Sequence, residues 1–168
     1  LPLTDLRVVA SSGSALSGDL ATRWMYRFGD HLYNVYGSTE VAYASVARPD
    51  DLRAAPTTAG RPPHGTVVRI LDDAGREVPA GASGRIFVGN ATLFDGYTGG
   101  GSKDVVDGLM ATGDVGRWGD GGRLFVEGRD DEMIVSGGEN VFPSEVEHCL
   151  ATHPGVLDTL MIGGATGL

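Results

Sequence analysis

Apolar positions along this chain fall into two spacings, and each spacing predicts an element. Leu6 to Ala10 (LRVVA) is a short apolar run and predicts a buried strand. From Ser17 to Phe28 the apolar residues Leu20, Trp24, Met25 and Phe28 recur at helical intervals, and Gly29 supplies the stop. His31 to Tyr36 (HLYNVY) predicts a second strand ending at Gly37. Arg48 to His64 carries Pro49, Pro56, Pro62 and Pro63 and reads as a loop. The pattern then changes. Val67, Val68, Ile70 and Leu71 make a strand, Asp72-Asp73-Ala74-Gly75 a turn, and Arg76 to Val78 the second arm of a hairpin. Arg85 to Val88 follows as a strand. Leu109 to Thr112 and Arg117-Trp118 flank Gly113-Asp114, and Asp120-Gly121-Gly122 turns into Arg123 to Glu127. This middle region predicts a small, mostly antiparallel β unit. Beyond it Glu132 to Ser136 is a strand and Gly137-Gly138 a turn. Ser144 and Glu147 have capping-box spacing, with Val146, Cys149 and Leu150 on one side of the helix they would open. Pro154-Gly155 ends that helix, and Val156 to Ile162 predicts a last strand.

Composition narrows the function. The 168 residues suit one domain, or one and a piece. Thirteen basic against 22 acidic residues give a net charge of −9, which argues against a nucleic-acid partner, since phosphate binding needs a basic face. Twenty-seven glycines without a three-residue period mean many tight turns. Lys103 is the one lysine. Cys149, the one cysteine, cannot pair within the chain, which fits a reducing, cytoplasmic setting. No apolar run approaches the ~18 residues of a membrane span. The start at Leu1 and the glycine-rich stretch at the other end are read as cut points of a longer protein.

Three segments can carry chemistry. In Asn34-Val35-Tyr36-Gly37-Ser38-Thr39-Glu40 a strand ends in glycine, preceded by an aromatic and followed by a hydroxyl and a carboxylate. A tyrosine ring can lie on a purine, a threonine can donate to a phosphate oxygen, and a carboxylate can hold Mg²⁺. A strand and turn with a solvated Thr-Glu pair explains the same residues equally well. Asp114, in Thr112-Gly113-Asp114, can accept both hydroxyls of a ribose; alone it reads first as a turn cap. Gly128-Arg129-Asp130-Asp131-Glu132 can be a hinge, a metal site or a solvated turn. Gly99-Gly100-Gly101-Ser102-Lys103 is not a phosphate loop, because that motif puts Lys directly after Gly and Ser or Thr after Lys. His148 and His153, five apart, do not share a helix face as metal ligands would.

Together and in order, these segments resemble the adenylate-forming superfamily of acyl-CoA synthetases, luciferases and peptide-synthetase adenylation domains. Ser12-Gly13-Ser14-Ala15-Leu16-Ser17 looks like its Gly-rich turn before the adenine pocket, and Tyr36-Gly37-Ser38-Thr39-Glu40 like its Tyr-Gly-x-Thr-Glu. Gly60-Arg61-Pro62, Gly96-Tyr97, Thr112-Gly113-Asp114 and Gly128-Arg129-Asp130-Asp131 follow in the family's order. Ile134 to Pro143 (IVSGGENVFP) resembles the fatty acyl-CoA synthetase branch more than the peptide-synthetase branch.

The resemblance implies an α/β (α+β) fold in two parts. Residues 1–131 would be the C-terminal part of a large adenylate-binding domain, including a β-barrel-like subdomain. Residues 132–168 would start a small, mobile α+β lid. It implies ATP, Mg²⁺ and coenzyme A as cofactors or co-substrates, a carboxylic acid, most simply a fatty acid, as substrate, and a possible homo-oligomer. Gly13, Ser14 and Asn34 would edge the adenine; Tyr36, followed by Gly37, would stack on it. Thr39 and Glu40 would be catalytic, Thr39 at the α-phosphate and Glu40 on the metal. Asp114 and Arg129 would hold the ribose, Asp131 would be the hinge, and Gly138 would line the route of the CoA arm. The family's upstream phosphate loop and its late catalytic lysine have no counterpart here, and Lys103 stands in neither context. These 168 residues alone are therefore expected to be inactive in forming acyl-AMP. Two alternatives stay open: a non-catalytic nucleotide-binding or interaction module descended from such an enzyme, and a ligase that loads a carrier protein.

Overall fold

Helix α1 (Gly18–Phe28) begins where Ser17 can cap it: the Ser17 hydroxyl accepts from the backbone N of Leu20 at 3.2 Å. It ends at Gly29, whose φ of 88° suits glycine. The structure, a computed structural model, describes residues 5–136 and 139–164. The helix is the crossover that two parallel strands require: β1 (Val9–Ser11) and β2 (Leu32–Tyr36) pair in parallel, Val9 opposite Leu32. β1 lies three residues later than the apolar run predicts, and Val8 is exposed, because the strand sits at the sheet edge. β3 (Ser45–Ala47) joins β2 antiparallel. Ala21 and Met25 of α1 bury against Leu32, Ala47 and Leu52.

The segment expected to be a loop holds a short helix, α2 (Pro49–Ala54). Pro49 opens it, at a position where its missing N–H costs nothing, and the Asp51 carboxylate accepts from Arg48 N at 3.2 Å. Asp51 is buried and pairs with two arginines: Arg61, and Arg123 at 3.2 Å. Gly60, at φ 86°, then threads between the sheets; Leu124 N donates to Gly60 O at 2.7 Å, and Val46 bridges Arg61. A β-carbon on Gly60 would lie 2.1 Å from Ala47 N and Val46 O, so only glycine fits.

The middle region is antiparallel, as its alternation predicts. β4 (Val67–Leu71) pairs with β5 (Gly84–Gly89), and β5 with β7 (Leu109–Gly119). The far edge of β7 carries β6 (Val105–Val106) and then β8 (Arg123–Arg129). Three expectations are corrected here. The second hairpin arm gives only a lone bridge, Leu71 to Glu77, and the full partner of β4 is β5. Gly113-Asp114 interrupts nothing; one strand runs through both. Finally, the five-stranded sheet is open and does not close into a barrel among the described residues. Val68, Ile70, Ile86, Val88, Met110 and Leu124 of this sheet bury against Val41, Ala44 and Ala59, which joins the two sheets in one core.

Beyond β8, β9 (Ile134–Ser136) and β10 (Glu139–Val141) form an antiparallel pair and lead into α3 (Pro143–Leu150). The expected capping box is absent. α3 starts one residue before Ser144, whose hydroxyl instead donates to Glu127 O at 3.2 Å, while Glu147 Oε1 accepts from Met161 N at 2.8 Å. The expected final strand is also absent: residues 156–162 form no strand, and Leu157, Leu160 and Ile162 are exposed. The Gly137-Gly138 turn lies outside the described residues.

Candidate functional site

Asn34 and Tyr36 stand two residues apart on β2 and so share a face. Asp114 of β7 and Arg129 of β8 are opposite one another in their ladder. The turn after β1 brings Gly13 and Ser14 to the same place. These residues and Gly37 line one cleft of about 400 Å³. Seven of the eleven residues singled out in the sequence therefore converge, although they are spread from position 13 to position 129.

The cleft is internally bonded. The Tyr36 phenol donates to Asp114 Oδ2 at 2.6 Å and lies 3.2 Å from Thr112 Oγ1. Arg129 reaches Asp114 Oδ1 and the Thr112 carbonyl, both at 3.4 Å. Asn34 is buried and donates to Thr58 O at 3.2 Å. Burial, and then the charge and acceptor of Asp114, hold the Tyr36 phenol well above its ordinary pKa, so it stays a donor. Asp114 is thus fixed from two sides, with its carboxylate at the cleft wall.

Gly37 lines the cleft and also makes room for the chain's own turn. A β-carbon there would lie 2.0 Å from Ala42 O, so it admits the chain's own turn. Thr39 and Glu40 belong to that turn and are not in the cleft wall, which stops at Ser38. Thr39 is exposed. Glu40 is clasped: Tyr97 Oη donates to its Oε1 at 2.6 Å, and Phe94 N donates to its carbonyl at 2.8 Å. The Tyr97 hydroxyl, with Ser38, holds its carboxyl below the ordinary range. Among the described residues no three His, Cys, Asp or Glu side chains gather into a metal cluster. A magnesium ion at Glu40 would then take its remaining ligands from phosphate and water, which is that ion's habit, and Glu40 fits the task.

Asp131 is exposed and accepts from Arg129 Nε at 3.2 Å. It lines a second recess, of about 370 Å³, with Gly113, Arg129 and Lys103. Gly138 lies outside the described residues. Sequence reasoning missed Thr57, Ala59, Val126 and Ser144 as cleft residues, and it named Gly128 and Glu132 only as ends of the hinge segment. Val126 and Gly128 alternate along β8, so a period of two carried back from Arg129's neighbour could have found them. Gly128 is required, since a β-carbon would lie 2.6 Å from the Phe142 ring. Ser144 carries only its capping-box spacing, which does not point to the cleft.

Residues 2–98 match the profile of a family described as AMP-binding enzyme. The chain is 34% identical over 165 residues to the indoleacetate–CoA ligase of Aromatoleum aromaticum, covering 96% of the chain and 32% of the relative. It is 33% identical over 166 residues to a long-chain-fatty-acid–CoA ligase of Yersinia pestis, covering 97% and 30%. Among solved structures, the o-succinylbenzoate-CoA synthetase of Bacillus subtilis, in complex with its acyl-adenylate intermediate, superposes with a TM-score of 0.91 at 26% identity, covering 98% of this chain and 34% of that one. The chain thus spans about a third of the length of the relatives it matches.

Proposed function

The chain belongs to the AMP-binding enzyme family, and from that premise we propose that it supplies the adenylate site of an AMP-forming acid–thiol ligase. The reaction would join a carboxylate to the α-phosphate of ATP, releasing pyrophosphate, and then pass the acyl group from acyl-AMP to the thiol of coenzyme A, releasing AMP and the thiol proton. The observation that carries this reading is the cleft itself, where Tyr36, Asp114 and Arg129 are bonded together beside Gly13, Ser14 and Asn34.

Each residue has a task in that reading. The Gly13–Ser14 backbone and Asn34 edge the adenine, and the Tyr36 ring covers it. Asp114 accepts from the ribose hydroxyls; its bonds to Tyr36 and Arg129 hold the carboxylate ready, so little ordering is left for binding to cost. Thr39 donates to the α-phosphate, and Glu40 holds magnesium. That ion would offset the charge that grows on the phosphate as the carboxylate attacks. Residues 1–131 belong with the nucleotide, and residues from 132 on with the moving lid, Asp131 being the pivot. Relatives named for indoleacetate and for long-chain fatty acids bracket the acid class, and a fatty acid suits the Ile134–Pro143 stretch.

Calorimetric titration with a non-reactive acyl-adenylate analogue tests the site. Asp114→Ala removes charge-assisted hydrogen bonds worth about 1.5–3 kcal/mol, so affinity should fall at least about tenfold. Equal affinity in the variant would reject the assignment.

A further inference from the structure

The segment that follows β5 touches the Glu40 turn at several points. Asn90 Nδ2 donates to Val41 O at 2.9 Å and to Tyr43 O at 3.2 Å. Phe94 N donates to the Glu40 carbonyl at 2.8 Å, and the Tyr97 phenol to Glu40 Oε1 at 2.6 Å. The Tyr97 ring stands edge-on to Phe94, centroids 4.9 Å apart, and Phe94 packs on the main core. The backbone of the turn and the carboxylate at its tip are therefore held by one clasp, whose anchor is buried. Three of these four bonds serve the backbone, and the fourth, from Tyr97, reaches the carboxylate. A half-buried glutamate in a turn otherwise keeps several rotamers open, and the phenol narrows that choice.

We propose that Tyr97 is a positioning residue for the cation: its phenol fixes Glu40 Oε1 and leaves Oε2 directed to the ion. This rests on the reading of Glu40 as the metal carboxylate. A carboxylate has lone pairs enough to accept the phenol and bind a cation together. Tyr97 therefore stays in place when the ion arrives, and removes in advance the ordering that ion binding would otherwise require.

The test is Mn²⁺ binding, read from the loss of the free-ion electron paramagnetic resonance signal, by the whole chain saturated with a non-hydrolysable ATP analogue. Tyr97→Phe keeps the ring and its packing on Phe94, so the fold is preserved. Its Mn²⁺ affinity should fall at least about tenfold, the low end for a hydrogen bond to a charged group. Glu40→Gln should lose more, and Tyr97→Phe added to Glu40→Gln should change nothing further, since Tyr97 acts through that carboxylate. Unchanged Mn²⁺ affinity in Tyr97→Phe, with affinity lost in Glu40→Gln, overturns the role of Tyr97 alone. Unchanged affinity in Glu40→Gln, or no Mn²⁺ binding by the unaltered chain, overturns the metal reading and this inference with it.

Discussion

The Tyr36 phenol is bonded to a carboxylate inside a cleft wall, and its proton is held more tightly than in an unfolded chain. A raised folded pKa contributes stability that is fully present below the unfolded value, about 10 for tyrosine, and is lost as pH climbs above it. Urea midpoints should therefore fall more steeply above about pH 10 in the parent than in Tyr36→Phe. Parallel curves would mean that the phenol has no such partner in solution. Tyr36 was legible in the sequence as a cleft residue because it stands in a short local motif. Its bond to Asp114 was not, since 78 residues separate the two.

At the scale of elements, the joint between the sheets is the sensitive place. Asp51 of α2 holds Arg61 and Arg123, and Gly60 lies against β3 with no room for a side chain. Asp51→Ala should cost on the order of 3 kcal/mol, the low end for breaking a buried ion pair, because Arg61 is half exposed. Gly60→Ala should cost at least as much, from both a left-handed φ and a backbone clash. Urea denaturation measures both; a loss under about 1 kcal/mol for either would contradict the geometry. The helix and most strands could be read from apolar spacing and from glycine stops, which act within a few residues. The same reasoning failed for α2, where four prolines concealed a helix that proline at its first position favours. It failed again for Ser144 and Glu147, whose capping spacing was taken up by tertiary partners, Glu127 and Met161.

On the scale of the whole molecule, Leu157, Leu160 and Ile162 stand exposed, while the net charge of −9 keeps copies apart. No helix among the described residues is long and apolar enough to cross a membrane. Association should therefore grow with salt. Sedimentation velocity should show a larger mean mass at about 0.5 M salt than at low ionic strength, and replacing Leu157 and Leu160 by Asp should suppress it. A salt-independent monomer would show that these side chains are covered in solution. The order of motifs made the site foreseeable, since a cleft built at strand ends leaves local marks. The apolar run 156–162 looked like a strand because sequence records the wish to be buried and not the presence of a neighbour.

Gly113 and Asp114 are successive residues of one strand, so they look to opposite sides: Asp114 into the cleft, Gly113 into the recess. The Arg129 guanidinium lies across Gly113, so close that a methyl group there would sit 3.0 Å from it, and it borders both spaces. The partition between the two chambers is thus one planar cation thick. A ligand that draws this group toward one chamber withdraws charge and bulk from the other, where Asp131 holds its far edge. News of what fills the first chamber has only the width of a single side chain to travel before it meets Asp131, the proposed pivot.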